Sequence, residues 1–591
     1  MRQFFKFTLA SLLGLFLFFF LFFIIFAGIV GVASRSKTEK IKPNSVLELT
    51  LNYEIPDRTK SENFFFTPGS FEVNSNLGLN DILDALENAK TDDNIKGIFL
   101  NLSATQTGFG ILEEIRNKLT EFKETDKFII AYGETMTQKA YYLASVADVI
   151  YLNPQGIVAL QGFSIELTFF KNALDRLGIE PEVFYAGNFK SATEPFRYNK
   201  MSEYNRTQLR EVINGFYSSY LKQVAPSRKM SESQLHDIIN NLKVQNAEDA
   251  KLNGIVDELS YIDQVQNQLR DKLGLKTDEK ISFVGLDKYT KTVEASKKDY
   301  KKNKVAIIYA EGGIQDGKGD ENNIASEDYV KIIQKVRTDE NVKAIVLRVN
   351  SGGGSALASD IIWRELKLAK EKGIPIVASM ADVAASGGYY ISCMADTIMA
   401  GQNTITGSIG VFGLLAEGDK FYDSKLGITF DTVKTTKFSN FPNSAILSRS
   451  ITDEEKSIIQ KGVDRIYDDF LTRVSDGRGM NKEAVHEVAQ GRIWTGTQAK
   501  EKGLVDVIGG IEDAVELAAN MANLNEDDYR TTAYPAKENA FDKIMKSFTN
   551  QSSQNILKKE LGENYRYIQM LKEVQNMQGV QCRIPFDIEI Y

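Results

Sequence analysis

The chain has few of the residues from which disulfide frameworks and structural metal sites are built. Only two cysteines, Cys393 and Cys582, and two histidines occur in 591 residues. A disulfide scaffold needs several paired cysteines, and a structural zinc site needs cysteine and histidine in clusters. Neither class of protein fits this sequence. Cys393 stands in an apolar segment and is predicted to be a small core residue.

The chain also lacks a long stretch of basic residues. Lysine and arginine together number 71 against 79 acidic residues, which gives a net charge of −8 and no long basic stripe. Nucleic acid is therefore not expected as the main partner. No low-complexity tract interrupts the chain, and 43% of its residues are apolar. Such a chain can form several domains with well-buried cores.

One segment of the chain occurs twice. Residues 91–98 read Thr-Asp-Asp-Asn-Ile-Lys-Gly-Ile, and residues 338–345 read Thr-Asp-Glu-Asn-Val-Lys-Ala-Ile. Three further pairs of segments match at nearly the same spacing, namely 141–148 with 389–396, 177–179 with 426–428, and 250–257 with 499–506. We therefore predict two successive units of the same fold, called here the first repeat and the second repeat.

The N-terminus carries a long apolar segment. No charged residue lies between Lys6 and Arg35, and residues 7–33 are almost entirely Leu, Phe, Ile, Ala and Gly. This length suffices to cross a bilayer as a helix and exceeds the apolar part of a secretory signal. We favour an uncleaved anchor over a cleaved signal, although residues 31–33 would serve as a cleavage site. The flanking basic residues do not favour the usual orientation with the N-terminus inside.

The repeat and the apolar segment together give the predicted domain organisation. A charged stretch between the repeats is interpreted as a solvated linker, and the end of the chain is predicted to be helical and then strand-like, with at most an oligomer contact as its role. The predicted parts are an anchor at 1–44, the first repeat at 45–295, a linker at 296–304, the second repeat at 305–530 and a C-terminal extension at 531–591.

Runs rich in β-branched residues alternate with helical patterns in both repeats. Strand, helix and strand at this spacing are typical of βαβ units and a mainly parallel sheet. The predicted fold class is therefore α/β, with any active site at the carboxyl ends of the strands. The predicted strands are Ile95–Leu102, Lys127–Tyr132, Val342–Asn350 and Ile374–Met380, and Ser359–Lys370 is a predicted helix.

The two repeats differ where a catalytic residue would stand. The second repeat has Ala-Ser-Gly-Gly at 385–388, whereas the first has Thr-Gln-Lys-Ala at 137–140. The second also has Asn-Ser-Gly-Gly-Gly-Ser at 350–355, opposite Ser-Ala-Thr-Gln-Thr-Gly at 103–108. Consecutive glycines leave backbone N–H groups open to an oxyanion, although a tight turn with positive φ would use the same residues. These differences favour Ser386 of the second repeat as a nucleophile.

The two histidines are poor candidates for the base that a serine nucleophile needs. His236 and His486 stand at equivalent positions of the two repeats, each in a polar helical segment. A catalytic residue of a single active site would need no equivalent in the other repeat, so we interpret both histidines as surface helix residues. A Ser-His-Asp triad is therefore not predicted, and lysine is the next base to consider.

Lys190 stands in an apolar and aromatic segment of the first repeat, 184–196, and the second repeat has Ser439 opposite it. To act near neutral pH, its amine would need a pKa about three units below the usual ~10.4, which burial beside apolar rings can produce. These arguments alone favour instead a lysine that is ion-paired or whose amine reaches solvent.

Four motifs of the chain stand in register with those of a known family. They are Phe-Lys-Ser-Ala-Thr-Glu-Pro-Phe at 189–196, Asn-Ser-Gly-Gly-Gly-Ser at 350–355, Ala-Ser-Gly-Gly-Tyr at 385–389 and Thr-Gly-Ser-Ile-Gly-Val at 406–411. With these motifs in this order behind an apolar N-terminus, residues 1–530 resemble the signal peptide peptidase A family, also called protease IV, in its long duplicated form.

The resemblance implies a role for each of five residues. It implies that Ser386 is the nucleophile, that Lys190 is the general base and acid, and that Ser408 forms a hydrogen bond with the lysine amine. Gly353 and Gly387 are the candidate donors of an oxyanion hole, by their match to the pattern of the fold. No metal or organic cofactor is needed for such a dyad.

The resemblance also implies an architecture and a location. We expect two tandem ClpP/crotonase-like αβ superhelices, a homotetramer, and a single-pass anchor in the cell inner membrane with the bulk of the chain in the periplasm. The implied substrates are remnant signal peptides, cut within their apolar stretch. The family often has proline where this chain has Gly352, so the glycine loop is expected to be more flexible.

Two other functions share parts of this pattern. A crotonase-type acyl-CoA enzyme would share the fold, but it would need acidic catalytic residues and a CoA site. A catalytically silent membrane scaffold that binds peptides would keep the architecture without using the dyad. The protease hypothesis makes a geometric prediction that the others do not: Lys190 and Ser386 should lie within hydrogen-bond reach where the two repeats meet.

Overall fold

The computed structural model describes residues 2–33, 40–60, 63–67, 70–74, 76–296, 301–442, 446–536 and 580–584. Its N-terminal helix, α1, comprises Arg2–Ala33. Within the described part of the chain, no helix has the length and apolar character needed to cross a membrane. The membrane anchor predicted at residues 1–44 therefore stays a prediction.

The first repeat folds into alternating strands and helices. Its elements are β1 Ser45–Leu49, β2 Asn63–Thr67, β3 Ser70–Asn74, α2 Leu79–Thr91, β4 Ile95–Asn101, α3 Phe109–Lys123, β5 Phe128–Met136, α4 Gln138–Ala144, β6 Val149–Val158, α5 Lys171–Leu177, β7 Glu180–Ala186, α6 Glu194–Arg197, α7 Glu203–Ser227, α8 Glu232–Asn240, α9 Ala247–Leu252, β8 Glu258–Leu259, α10 Ile262–Leu273, β9 Ser282–Gly285 and α11 Leu286–Ser296.

The second repeat begins at β10 and also alternates strands with helices, with additional short strands. Its elements are β10 Asn303–Glu311, β11 Gly313–Gln315, β12 Asn323–Ala325, α12 Ser326–Thr338, β13 Val342–Ser351, β14 Gly353–Ser355, α13 Ala356–Glu371, β15 Ile376–Ala385, α14 Gly387–Ser392, β16 Thr397–Ala400, β17 Ile405–Gly407, β18 Val411–Glu417, α15 Asp419–Phe421, β19 Ile446–Leu447, α16 Asp453–Arg478, α17 Lys482–Val488, β20 Ile493–Thr495, α18 Gly496–Glu501, β21 Val507–Ile508, α19 Ile511–Met521, β22 Tyr529–Tyr534 and β23 Val580–Arg583.

Each repeat is built around a mainly parallel sheet. The first sheet has the order β8-β6-β5-β4-β1-β9 and is parallel throughout. The second has the order β20-β17-β15-β13-β10-β22 and is antiparallel only between β17 and β20 along this path. The central strands are almost continuously buried, as expected where helices cover both faces of a parallel sheet. The predicted α/β class and the four predicted strands are confirmed.

The repeats make equivalent internal contacts. The Tyr141 hydroxyl donates a hydrogen bond to the carbonyl oxygen of Ile255 at 2.7 Å, and the Tyr389 hydroxyl donates one to that of Leu504 at 2.9 Å. Both tyrosines are fully buried. Tyr141 links α4 to the loop before β8, and Tyr389 links α14 to the loop before β21 in the same way. The duplication predicted from the sequence is therefore also present in the structure.

A third sheet joins the two repeats. Strand β7 of the first repeat lies antiparallel to β18 of the second, from Ala186 opposite Val411 to Glu180 opposite Glu417. The same sheet contains β11, β12, β14, β19 and the C-terminal strand β23. Because β7 leaves its own repeat to pair with the other, the residues that follow it enter the second repeat.

A buried charge cluster also crosses the junction. Arg348 of β13 lies 2.6 Å from Asp57 and 2.6 Å from Glu114, both of the first repeat, and donates to the Ser379 hydroxyl at 2.9 Å. The Arg348 side chain is fully buried. A buried guanidinium is tolerated only when its charge and its donors are paired, so the two repeats are held in a defined relative position here.

The structure adds detail to the predicted boundaries. Strand β10 begins at Asn303, so the end of the predicted linker 296–304 belongs to the second sheet, and residues 297–300 lie outside the described part. Strand β22 pairs with β10 and continues to Tyr534, beyond the predicted end of the second repeat at residue 530. Of the predicted extension, residues 537–579 and 585–591 lie outside the described part.

Candidate active site

Ser386 stands at the carboxyl end of β15, directly before α14. Its backbone has φ 56° and ψ −112°, which a residue with a side chain rarely adopts. The conformation is held because the Ser386 N–H donates to the Gly407 carbonyl at 2.8 Å and the Ser386 carbonyl accepts the Tyr390 N–H at 2.8 Å. Strain of this kind persists where the surrounding structure enforces it, most often at functional sites.

Lys190 reaches the serine from the first repeat. It lies just beyond β7, in the segment 187–190, which begins with Gly187 at φ 103°. Its Nζ lies 2.8 Å from Ser386 Oγ, and the side chain is 1% exposed. The geometry predicted from the sequence, a lysine and a serine in contact where the repeats meet, is confirmed.

Ser408 completes the polar surroundings of the amine. Its Oγ lies 3.1 Å and its carbonyl oxygen 3.2 Å from Lys190 Nζ. Ser408 also has a positive φ, 50°, and its N–H donates to the Arg492 carbonyl at 2.7 Å. Three oxygens therefore surround the amine, and the predicted contact between Ser408 and the lysine is confirmed.

Burial controls the protonation of Lys190. Desolvation of the buried amine lowers the pKa of Lys190 to about 7, and the nearby Cys582 thiol opposes this shift. The oxygens around Nζ belong to two hydroxyls and a carbonyl, none of which carries the full charge that would stabilise an ammonium. The amine is therefore suited to exchange a proton near neutral pH.

The two candidate oxyanion glycines are neighbours in space. A Cβ built on Gly353 would lie 2.7 Å from the backbone nitrogen of Gly387 and would overlap the carbonyl oxygen of Cys582. Gly353 also has φ 99°, so both its conformation and its contacts require glycine. In this structure its N–H donates to the Ser351 hydroxyl at 3.1 Å.

Sequence reasoning missed the turn that supports the lysine. The Gln490 carbonyl accepts the Phe189 N–H at 2.9 Å, and a Cβ on Gly491 would lie 2.7 Å from Lys190 Cα. Gln490 has φ 55° and Gly491 has φ 80°. The signal was available as a further difference between the repeats, because the second has Gln-Gly-Arg at 490–492 where the first has Asn-Asn-Leu at 240–242.

Sequence reasoning also gave no role to Cys582, which lies against the site. Strand β23 pairs antiparallel with β14 on one side and with β18 on the other. Cys582 is fully buried, and desolvation raises the pKa of its thiol to about 12, while the nearby Lys190 lowers it. The C-terminal strand is thus part of the surroundings of Lys190.

The remaining predicted positions agree with the sequence analysis. His236 and His486 lie on the surface, and each ring contacts the hydroxyl of a tyrosine 19 residues earlier, Tyr217 at 2.9 Å and Tyr467 at 3.0 Å. Cys393 is fully buried in the core of the second repeat. Among the described residues, no group of three or more His, Cys, Asp or Glu side chains could hold a metal ion.

The chain is similar to proteases of known family. The profile of Peptidase family S49 matches it twice, at residues 121–276 and 368–525. "Protease 4" of Haemophilus influenzae is 36% identical, over 76% of this chain and 73% of the relative. "Protease 4" of Salmonella typhi is 35% identical, over 79% and 76%. "Serine protease SPPA, chloroplastic" of Arabidopsis thaliana is 32% identical, over 82% and 70%.

Proposed function

The chain belongs to peptidase family S49, and we propose that it is a serine endopeptidase in which Ser386 and Lys190 form the catalytic dyad. The observation that carries this proposal is the 2.8 Å distance between Lys190 Nζ and Ser386 Oγ at a buried, uncharged site. A serine hydroxyl becomes nucleophilic when a base removes its proton, and a lysine can act as that base only when its amine is neutral.

The reaction would proceed through an acyl-enzyme. Neutral Lys190 accepts the proton of Ser386 Oγ as this oxygen attacks the carbonyl carbon of the peptide bond. The resulting ammonium donates that proton to the amine of the leaving fragment as the bond breaks. Water then attacks the ester, with Lys190 as the base, and returns Ser386 to its hydroxyl form.

The backbone N–H groups of Gly353 and Gly387 are the proposed donors to the oxyanion of each tetrahedral intermediate. The two glycines adjoin one another beside Ser386, which supports this assignment. The Gly353 N–H would exchange its bond to Ser351 for one to the oxyanion. Donors fixed in the backbone stabilise developing charge without reorganisation during the reaction. Ser408 would keep the amine pointed at Ser386.

The proposed substrates are remnant signal peptides and similar apolar peptides. We propose that the protein is held in the cell inner membrane by a single-pass anchor within its N-terminal residues 1–44, with its body in the periplasm. The exposed phenylalanine and leucine side chains between residues 4 and 21 support an apolar environment for this part of the chain. We also propose ClpP/crotonase-like superhelices for the two repeats and a homotetramer as the assembly.

Three variants of the full chain test the dyad. Ser386→Ala and Lys190→Met should each lower kcat/KM for an apolar peptide by at least about 10³-fold. Lys437→Met should leave it unchanged, because Lys437 is an exposed lysine paired with Glu454 at the surface. Equal cleavage by all three variants would refute the dyad. Peptide binding without cleavage by wild type would instead favour a silent scaffold.

A further inference from the structure

A buried glutamine of α7, Gln208, contacts both neighbours of Lys190 in the chain. Gln208 is 1% exposed. Its Nε2 donates to the Phe189 carbonyl at 3.1 Å and to the Ser191 hydroxyl at 2.9 Å. Phe189 precedes the lysine and Ser191 follows it. One amide therefore ties the lysine segment to α7.

The same amide also contacts the second repeat. Its Oε1 accepts the Ile493 N–H at 3.3 Å. Ile493 is the first residue of β20, and the carbonyl oxygen of Arg492 before it accepts the Ser408 N–H at 2.7 Å. Ser408 in turn contacts the Lys190 amine. One side chain thus joins the lysine segment to the strand that supports Ser408.

Two buried neighbours fix the orientation of this amide. Glu194 is 3% exposed, and Asn205 is fully buried. The Glu194 carboxylate accepts a hydrogen bond from Asn205 Nδ2 at 2.9 Å and another from the Ser202 N–H at 3.1 Å. Because an ionised carboxylate only accepts, the nitrogen of Asn205 faces Glu194, and its Oδ1 lies 3.2 Å from Gln208 Nε2. The donating end of Gln208 is therefore directed to the lysine segment.

The residue before the lysine is also held through its ring. The Phe189 ring centroid lies 4.8 Å from the guanidinium carbon of Arg492 and 5.2 Å from the centroid of the Tyr204 ring. Arg492 is paired with Glu211, which stands one turn after Gln208 on α7. Helix α7 therefore contacts both the lysine segment and the turn at 490–492.

The second repeat has no amide at the corresponding position. Helices α7 and α16 are equivalent, with Tyr217 and Tyr467 at a spacing of 250. The same spacing puts Ile458 opposite Gln208, and Ile458 is 43% exposed. The second repeat also has a serine in place of the lysine. The glutamine is therefore present in the repeat that carries the lysine and absent from the one that does not.

We propose that Gln208 is a positioning residue that keeps the Lys190 amine at Ser386 by fixing both neighbours of the lysine and the start of β20. This inference rests on the proposed function and adds to it a residue through which the base is aligned. A lysine has a flexible stem of four carbons, so its amine is placed accurately only when its backbone is held. Misplacement of a reacting group by about 1 Å can cost about 100-fold in rate.

Loss of the amide would also change the surroundings of the amine. With Gln208→Met, the Phe189 carbonyl and the Ile493 N–H lose a buried partner, and such groups move or draw in water because an unpaired buried polar group is costly. Desolvation is what lowers the pKa of Lys190 to about 7. Water admitted beside the segment would weaken this desolvation, so the pKa of Lys190 would rise.

The kinetic test uses Gln208→Met in the full chain. This variant should lower kcat for an apolar peptide at least about tenfold with KM within about twofold, and should raise the midpoint of the pH–rate profile by at least about one unit. The Cys582 thiol, the titratable group that acts on the amine, has its pKa raised to about 12 and stays protonated over this profile. Gln208→Asn, whose amide is one methylene shorter, tests the same contacts if Gln208→Met does not fold.

Gln138→Met is the matched control. Gln138 of α4 is 8% exposed, and its Oε1 accepts the N–H groups of Gln161 at 3.2 Å and Gly162 at 3.0 Å. This variant removes a buried amide with backbone partners from the same repeat without a change to the lysine segment. We expect it to lose stability in urea unfolding to a degree comparable with Gln208→Met, and to keep the kcat and the pH midpoint of the wild type.

Labelling of the lysine gives a readout that needs no catalysis. In full-length Ser386→Ala, acetylation of Lys190 by acetic anhydride at pH 9 is followed by peptide mass spectrometry, with and without Gln208→Met. We expect acetylation at least about tenfold faster when Gln208 is replaced, because a segment that has lost its buried contacts opens more often. Gln138→Met in the same background should leave the rate unchanged.

The two measurements separate a positioning role from a structural one. If Gln208→Met lowers kcat no more than Gln138→Met, or leaves either the pH midpoint or the labelling of Lys190 as in the wild-type sequence, Gln208 has only a structural role and the inference is overturned. If labelling accelerates as expected while the wild type cleaves no peptide, the proposed function is overturned and the positioning of the lysine by Gln208 stands.

Discussion

At the scale of single residues, the buried amine of Lys190 sets the pH at which the proposed dyad would work. Burial lowers the pKa of Lys190 to about 7, far below that of an exposed lysine. The base must be neutral to accept the serine proton, so kcat/KM should rise about tenfold per pH unit below pH 7 and level off above it. A pH–rate profile of the wild type from pH 5 to 9.5 measures this. A rise centred near pH 10 would contradict it.

A second residue-scale prediction concerns Gly353. Gly353→Ala should lower kcat/KM by at least about 100-fold, because the added Cβ would lie 2.7 Å from the Gly387 nitrogen and fill the place of the oxyanion. Gly373→Ala is the matched control for backbone strain, since Gly373 has φ 85° and no neighbour within 4 Å of an added Cβ. Peptide hydrolysis and circular dichroism of both variants separate lost activity from lost folding. Full activity of Gly353→Ala would exclude it from the oxyanion hole.

At the scale of elements, β13 carries the charge that binds the two repeats together. Arg348→Met should lower the free energy of unfolding by about 3–5 kcal/mol, because it leaves the carboxylates of Asp57 and Glu114 buried without their partner. Arg337→Met, which removes a partly exposed pair with Glu365, should cost at most about 1 kcal/mol. Urea unfolding followed by circular dichroism measures both. Equal losses would contradict a special role for the Arg348 cluster.

The elements within each repeat could be predicted from the sequence, because local pattern decides them. The runs at Ile95 and Val342 are β-branched and apolar on both faces, which specifies a buried parallel strand without knowledge of its neighbours. The contact of Lys190 with Ser386 followed from the resemblance of four motifs to a known family, because comparison of the repeats alone left an ion-paired lysine open. These parts of the fold and the site could be predicted because the residues that specify them are consecutive in the sequence or stand at equivalent positions of the two repeats.

The sheet that joins the repeats could not be predicted in this way. Strand β7 reads as an ordinary short strand, and nothing in Glu180–Ala186 specifies that it pairs with Val411–Glu417 rather than with its own repeat. Strand β23 is four residues long and lies far along the chain from both of its partners. Pairing between distant segments depends on side-chain packing in the folded protein, which the sequence of one segment alone does not specify. Cys582 was missed for this reason.

At the scale of the whole molecule, the duplication divides the proposed dyad between two halves of one chain. Lys190 comes from the first repeat and Ser386 from the second, and they meet through β7 and β18 of the same chain. The proposed dyad is therefore complete within one chain.

This arrangement predicts the outcome of mixing two inactive variants. When Lys190→Met and Ser386→Ala full-length chains are expressed together, the mixed oligomers should hydrolyse no more peptide than the two variants measured separately. The intact Lys190 of one chain and the intact Ser386 of the other lie at different internal junctions, and neither can reach the other without exchange of β7. As a control, wild type is expressed with the double variant Lys190→Met/Ser386→Ala. The activity should then be proportional to the fraction of wild-type chains. Recovery of activity well above the sum of the two variants would show that the repeats exchange partners between chains.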